Sequence, residues 1–230
     1  HEGFATYYAL LVEKEIFGED YYYWKLYNTA EQLTAISDQG KGQSLLDPKA
    51  SSLTFYEKGA WALHILKERI GEEAFQKAIV NYLKKHQFKN VTTDDFLTEV
   101  RAVTDVNIDD WEADWLKQTA FKSEQAYQSL KKSDFMQGLF SVIALRKVPI
   151  TEKYDRLKVA LSSGNDFIAN EVVYQLSLEK LSDVTQLLDT AFKSESLYVR
   201  QALAQSFEVP IPSVIKDSYK GLLQDKSYLT

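Results

Sequence analysis

The stretch Tyr56-Glu57-Lys58-Gly59-Ala60-Trp61-Ala62-Leu63-His64-Ile65-Leu66-Lys67-Glu68-Arg69-Ile70-Gly71 fixes the class of fold. Tyr56, Gly59, Ala60, Leu63, Leu66 and Ile70 recur at steps of three and four, which places them on one face of an α-helix. Gly71 follows the last periodic residue, where a helix C-terminus favours a residue free to take positive φ.

The same period extends in both directions. Phe4, Tyr7, Tyr8 and Leu11 share one helical face, and the small residues Ala5, Thr6 and Ala9 share the opposite one with Glu2. A helix with partners on both sides is expected there, with Glu2 in the interior. Asp20 is placed to cap a second helix over 21–36, with Tyr23, Leu26, Tyr27, Ala30 and Leu33 periodic. Residues 37–52 hold Gly40, Gly42, Pro48 and several Ser, and read as a loop. Helices follow over 72–86 and from the capping box Thr92-Thr93-Asp94-Asp95, then from Asp109 or Asp110 through Trp111, Trp115 and Leu116.

Composition agrees. Nine Gly and four Pro in 230 residues are about half the usual share, so long helices are favoured. The absence of cysteine removes disulfides, thiol nucleophiles and thiolate zinc sites; it leaves the redox compartment undetermined and suits a bacterial protein inside or outside the cytoplasm. With 27 Lys plus Arg against 33 Asp plus Glu, a net charge of −6 argues against nucleic acid as a partner. No apolar run approaches the roughly 20 residues of a membrane span.

Beyond residue 122 Trp disappears and short helical stretches alternate with polar breaks. Residues 162–169, 192–199 and 223–230 align at offsets of 30 and 31, and each block sets Asp166, Ser196 or Ser227 before an apolar start. That period is the mark of an α-solenoid of the HEAT or armadillo kind. The start at His1 without Met and the end just after a cap point to a piece of something longer.

The chemical inventory is thin. Three histidines (His1, His64, His86), no cysteine and no Gly-rich phosphate loop build no complete active site, and no Ser lies in a Gly-x-Ser-x-Gly elbow. His64 and His86 read as satisfied or solvent-facing histidines. His1-Glu2 begins like His-Glu-x-x-His, but the fifth residue is Ala5. Taken alone, Glu2 is a helix-start carboxylate favoured by the dipole and Tyr56 a core aromatic with its hydroxyl at the edge.

His1-Glu2-Gly3-Phe4-Ala5-Thr6-Tyr7 resembles the Asn-Glu-Gly-Phe-Ala-x-Tyr stretch of the zinc aminopeptidases of the aminopeptidase N family, gluzincins by class. Tyr56-Glu57-Lys58-Gly59-Ala60 resembles that family's Tyr-Glu-Lys-Gly-Ala block. Ile70-Gly71 with Phe75, Thr92 to Phe96, and Trp115-Leu116 ahead of Thr119-Ala120-Phe121 fit the same register. His1 departs from the usual Asn and is read as a neighbour of the site, not a ligand. Around 119–121 the family often has Gly and Pro.

The resemblance implies an all-α chain: residues 1–122 as the helical half of a thermolysin-like catalytic domain, and 123–230 as a HEAT-like repeat domain. It implies that Glu2 is the third protein ligand of a catalytic zinc, whose two His ligands and general-base Glu lie on a preceding segment of the same protein. It implies that Tyr56 donates to the oxyanion when zinc-activated water attacks a peptide near its N-terminus, so peptides are the expected substrates. These 230 residues alone are expected to be inactive and to bind zinc only weakly. The alternative of another class is a non-catalytic helical module of the same ancestry that binds a peptide or protein on its concave face.

Overall fold

The computed structural model describes residues 1–227, and among them the regular structure is entirely helical. The chain divides into two compact units, the first ending at Lys132 and the second beginning at Ser133. That division falls ten residues after the boundary expected at 122/123. The helix α7 (Ser123–Leu130) packs on α2 (Glu19–Asp38) and α3 (Gly59–Ile70), and Trp115 Nε1 donates to Gln125 Oε1 at 2.8 Å, so this segment folds with the first unit.

The first unit is built around α3. Gly59 through His64, then Leu66 and Ile70, are all buried, and a helix whose first turns are buried on every side needs neighbours on every side. Those neighbours are α1 (Glu2–Phe17), α4 (Glu72–Lys85), α7 and the π-helical turn Thr54–Lys58 that leads into it. Indole N–H groups tie the layers: Trp61 donates to Thr29 Oγ1 at 3.0 Å and Trp111 to the Ala62 carbonyl at 2.9 Å. Gly71 ends α3 at φ 84, as its position required.

The helix α1 meets the start of α3 through glycine. A Cβ on Gly3 would lie 2.8 Å from the Cα and carbonyl carbon of Gly59, and one on Gly59 would lie 2.8 Å from the Gly3 Cα. No side chain fits between these backbones. The buried side of α1 is Gly3, Tyr7 and Leu10, whereas Ala5, Tyr8 and Ala9 are exposed. The expected burial of Glu2 is therefore corrected: it stands on the exposed side, with its side chain 46% accessible.

Two local expectations in α2 shift, while the helix starts expected at Thr92 and at Asp109 or Asp110 stand. Gly18 (φ 92) opens α2, so Asp20 lies inside the helix, and Tyr22 is the fully buried tyrosine while Tyr23 is half-buried. Thr92 and Asp95 form the reciprocal capping box of α5 (Thr93–Arg101). The short helix α6 (Asp109–Trp111) runs into a second π-helical turn, Glu112–Lys117, holding buried Trp115 and Leu116.

His64 is buried at the centre of a polar chain. Ser129 Oγ donates to Glu68 Oε1 at 2.9 Å, so it accepts from His64 Nε2–H at 2.8 Å, and His64 Nδ1 accepts the Tyr22 O–H at 2.8 Å. Lys132 completes the chain with 2.7 Å to Glu68 Oε2. Burial lowers the His64 pKa from 6.5 to about 4, so the ring is neutral.

The second unit packs α10 (Asp166–Ser177) against α8 (Asp134–Ile143), α9 (Ile150–Leu161), α11 (Leu181–Phe192) and α12 (Leu197–Ser206), followed by the short α13 (Lys216–Gly221). Asn165, one residue before the expected Asp166, caps α10 through Phe167 N–H and Ile168 N–H, and Ser196 caps α12 through Val199 N–H. The helix expected after Ser227 falls on residues 228–230, outside the described residues. Buried charge is paired: Arg146 holds Glu171 at 2.8 and 2.7 Å, and Lys153 meets Glu179 at 2.8 Å.

Two outcomes follow from this packing. Gly3→Ala or Gly59→Ala should lower stability by about 1–3 kcal/mol through overpacking, while Gly221→Ala, which meets open space, should not; urea midpoints decide it. The unfolded state binds a proton at His64 below pH 6.5 that the folded state refuses until about pH 4. This contribution is complete above pH 6.5 and is lost as pH falls, at up to about 1.4 kcal/mol per unit. His64→Gln should flatten that slope between pH 7 and 5, and an unchanged slope would assign it to other groups.

Candidate active site

Glu2 occupies the first turn of α1, one residue before the Gly3–Gly59 contact. Its carboxyl is held below the ordinary range chiefly by a hydrogen bond from its own backbone N–H. Phe4, one residue after the contact, packs against Tyr82 at 5.9 Å and Phe96 at 5.1 Å between ring centres, and those two rings meet at 5.5 Å. The backbone around Glu2 is thus pinned on α3 by glycine and on α4 and α5 by aromatic stacking.

Beside these rings lies a cavity of about 840 Å³ whose walls include His1, Glu2, Phe4, Tyr82, His86 and Phe96. Its size is that of a ligand site. His86 is half-buried, and its Nε2 is enclosed without a hydrogen-bond partner.

Tyr56 projects from the π-helical turn and is 45% exposed, not the core aromatic that its residue type alone implied. It is not part of the cavity wall, although its neighbour Phe55 and Gly59 are. The turn packs on α1, so the structure brings the elements carrying Glu2 and Tyr56 together at the two glycines.

Two features of this site could not be placed from the sequence. The walls supplied by α4 and α5 depend on tertiary packing, and only the aromatic identity of Tyr82 and Phe96 hinted at them. The other is Lys58, which is fully buried with its Nζ donating to the carbonyls of Gln43 (2.8 Å) and Gln118 (2.6 Å). Burial, then the charge of Lys122, lowers its pKa to about 8.

The residues 1–115 match the Peptidase family M1 domain. The chain belongs to peptidase family M1. It is 32% identical over 101 residues to a leucyl aminopeptidase of Saccharolobus solfataricus, covering 42% of this chain and 13% of that protein. Over 136 residues it is 27% identical to an aminopeptidase N of Lactobacillus helveticus, covering 52% and 16%. A stretch of 40 residues is 52% identical to human endoplasmic reticulum aminopeptidase 2, covering 17% and 4%. The chain spans about a fifth or less of the length of the curated relatives it matches first. No solved structure gives a significant match.

Aminopeptidases of family M1 are zinc enzymes in general. A catalytic site takes three protein ligands. Glu2 has the charge and the cavity frontage of one, but among the described residues no group of three His, Cys, Asp or Glu could hold a metal ion. Among the described residues Glu2 therefore stands without the co-ligands that a zinc ion needs. The 230-residue chain should therefore emerge from gel filtration free of stoichiometric zinc after incubation with the metal, and retention of one equivalent would contradict that reading.

Proposed function

We propose that this chain is the C-terminal part of a zinc metallo-aminopeptidase that removes N-terminal residues from peptides. Glu2 supplies one carboxylate ligand, and the remaining ligands come from a preceding part of the same protein. Zinc bound there would provide a Lewis acid and an activated water. The second unit is read as a HEAT-like helical repeat domain, a reading supported by the packing of α8, α10 and α12 in succession.

The observation that carries the proposal is the contact between Gly3 and Gly59. Glu2 and Tyr56 belong to sequence blocks 54 residues apart, and that contact joins the blocks at glycines that admit no side chain. Tyr56 is accessible and mounted on a turn anchored at both flanks, which is what a preorganised donor requires. Its O–H is assigned to the carbonyl oxygen of the scissile peptide, where negative charge develops.

In the whole protein, Tyr56→Phe should lower kcat by about 100-fold or more, the usual effect of removing an oxyanion donor, with zinc content unchanged. Wild-type turnover in that variant would remove Tyr56 from the mechanism. Peptidase activity from the isolated 230 residues would show that the ligand assignment is wrong.

A further inference from the structure

The π-helical turn that carries Tyr56 is held by its two flanks. Thr54 and Lys58 are buried on one side of it, and Tyr56 between them is exposed on the other. Both flanks converge on Gln43. The Gln43 carbonyl accepts Lys58 Nζ–H at 2.8 Å, and its side-chain Oε1 accepts Ser51 N–H at 2.8 Å and the Thr54 hydroxyl at 3.4 Å. Ser51 Oγ lies 3.1 Å from Thr54 Oγ1, closing the network.

Lys58 reaches past Gln43 to a second loop, donating to the Gln118 carbonyl at 2.6 Å and the Thr119 carbonyl at 3.4 Å. The two loops touch directly as well. Ser44 Oγ and Leu45 N–H donate to the Leu116 carbonyl at 2.8 and 3.1 Å, and a Cβ on Gly42 would lie 2.5 Å from the Thr119 carbonyl oxygen. An ammonium fully removed from water, with three backbone carbonyls converging on it, replaces a hydration shell by fixed dipoles. Such a group is costly to bury and strongly directional, more than the packing of an ordinary helix end requires.

We propose that Lys58 and Gln43 are positioning residues for Tyr56: together they tie both flanks of the turn to the 42–45 and 116–119 loops and so fix the direction in which the phenol projects. This inference rests on the assignment of Tyr56 as the oxyanion donor. A donor displaced by about 1 Å from its target can cost two orders of magnitude in rate, and the carbonyl cage is the part of the structure that prevents that displacement.

The test is a double-mutant cycle in the whole protein with Lys58→Met, Gln43→Ala and Tyr56→Phe. Lys58→Met and Gln43→Ala should each lower kcat by about ten-fold or more with KM within about three-fold, and neither should lower it further in the Tyr56→Phe background. Lys58→Arg should recover part of the loss. Equal losses with and without the Tyr56 hydroxyl would overturn the inference, because the two residues would then act elsewhere. An unchanged kcat in Tyr56→Phe alone would remove the oxyanion assignment and this inference with it.

If Lys58→Met fails to fold, Gln43→Ala decides, since Gln43 is half-buried and its side chain leaves only two hydrogen bonds behind. A readout independent of turnover is the 19F resonance of 3-fluorotyrosine at position 56. It should be one narrow line in the parent and shifted or broadened in Gln43→Ala. An identical line in both proteins would count against positioning.

Discussion

The backbone contact between Gly3 and Gly59 is the constraint on which the first unit depends. A helix whose first turns are buried on every side has to be enclosed, and α3 is enclosed on one side by α1 at backbone contact. Because α1 lies this close, Phe4 reaches the Tyr82 and Phe96 rings, and those rings set one wall of the cavity that Glu2 faces. A methyl group at either glycine would push against backbone atoms, which have no rotamer by which to yield.

Two polar nodes flank the first half of the same enclosed helix, and they solve different problems. His64, at its middle, is neutral, and every hydrogen in its chain has one direction, from Tyr22 through the ring and Ser129 to Glu68. Lys58, in the π-helical turn just before α3, is a cation withdrawn from water, an unfavourable state by itself. The carbonyls of residues 43, 118 and 119 offset this by pointing their negative ends at the ammonium. One node joins helices to one another, whereas the other joins a helix end to two loops.

What could be read from the sequence was what depends on neighbouring residues. The Thr92–Asp95 capping box and the Gly71 stop are local devices, and both stand where the residues placed them. All-helical character and the apolar face of α3 followed from period and composition. The cap of α2 was missed because Gly18 supplies the turn through φ alone, leaving no side-chain signature, so Asp20 looked the better candidate. Asn165 and Asp166 are both good caps, and only the structure separates them.

The candidate site was legible as two blocks of residues and illegible as a place. Nothing along the chain says that Gly3 meets Gly59, since residues 56 apart meet only through tertiary packing. The loss of Trp after residue 122 marked a change in composition, yet α7 folds with the first unit through residues such as Ser129 and Gln125, whose partners lie elsewhere in the chain. A small-residue face on α1 implied burial for Glu2, but burial is a property of partners, and Glu2 is exposed among the described residues.

The widened turn at residues 54–58 also has an angular meaning. An α-helix advances about 100° per residue, so one surplus residue in a turn rotates everything before it relative to everything after it by roughly that angle. The side chains of α3 can then keep their own alignment with the core while Tyr56, on the far side of the surplus residue, is turned out of it. Deleting one residue between Thr54 and Lys58 would restore uniform winding and swing the phenol by about a quarter-turn or more. The length of this short segment, as much as the identity of its tyrosine, sets where the hydroxyl points.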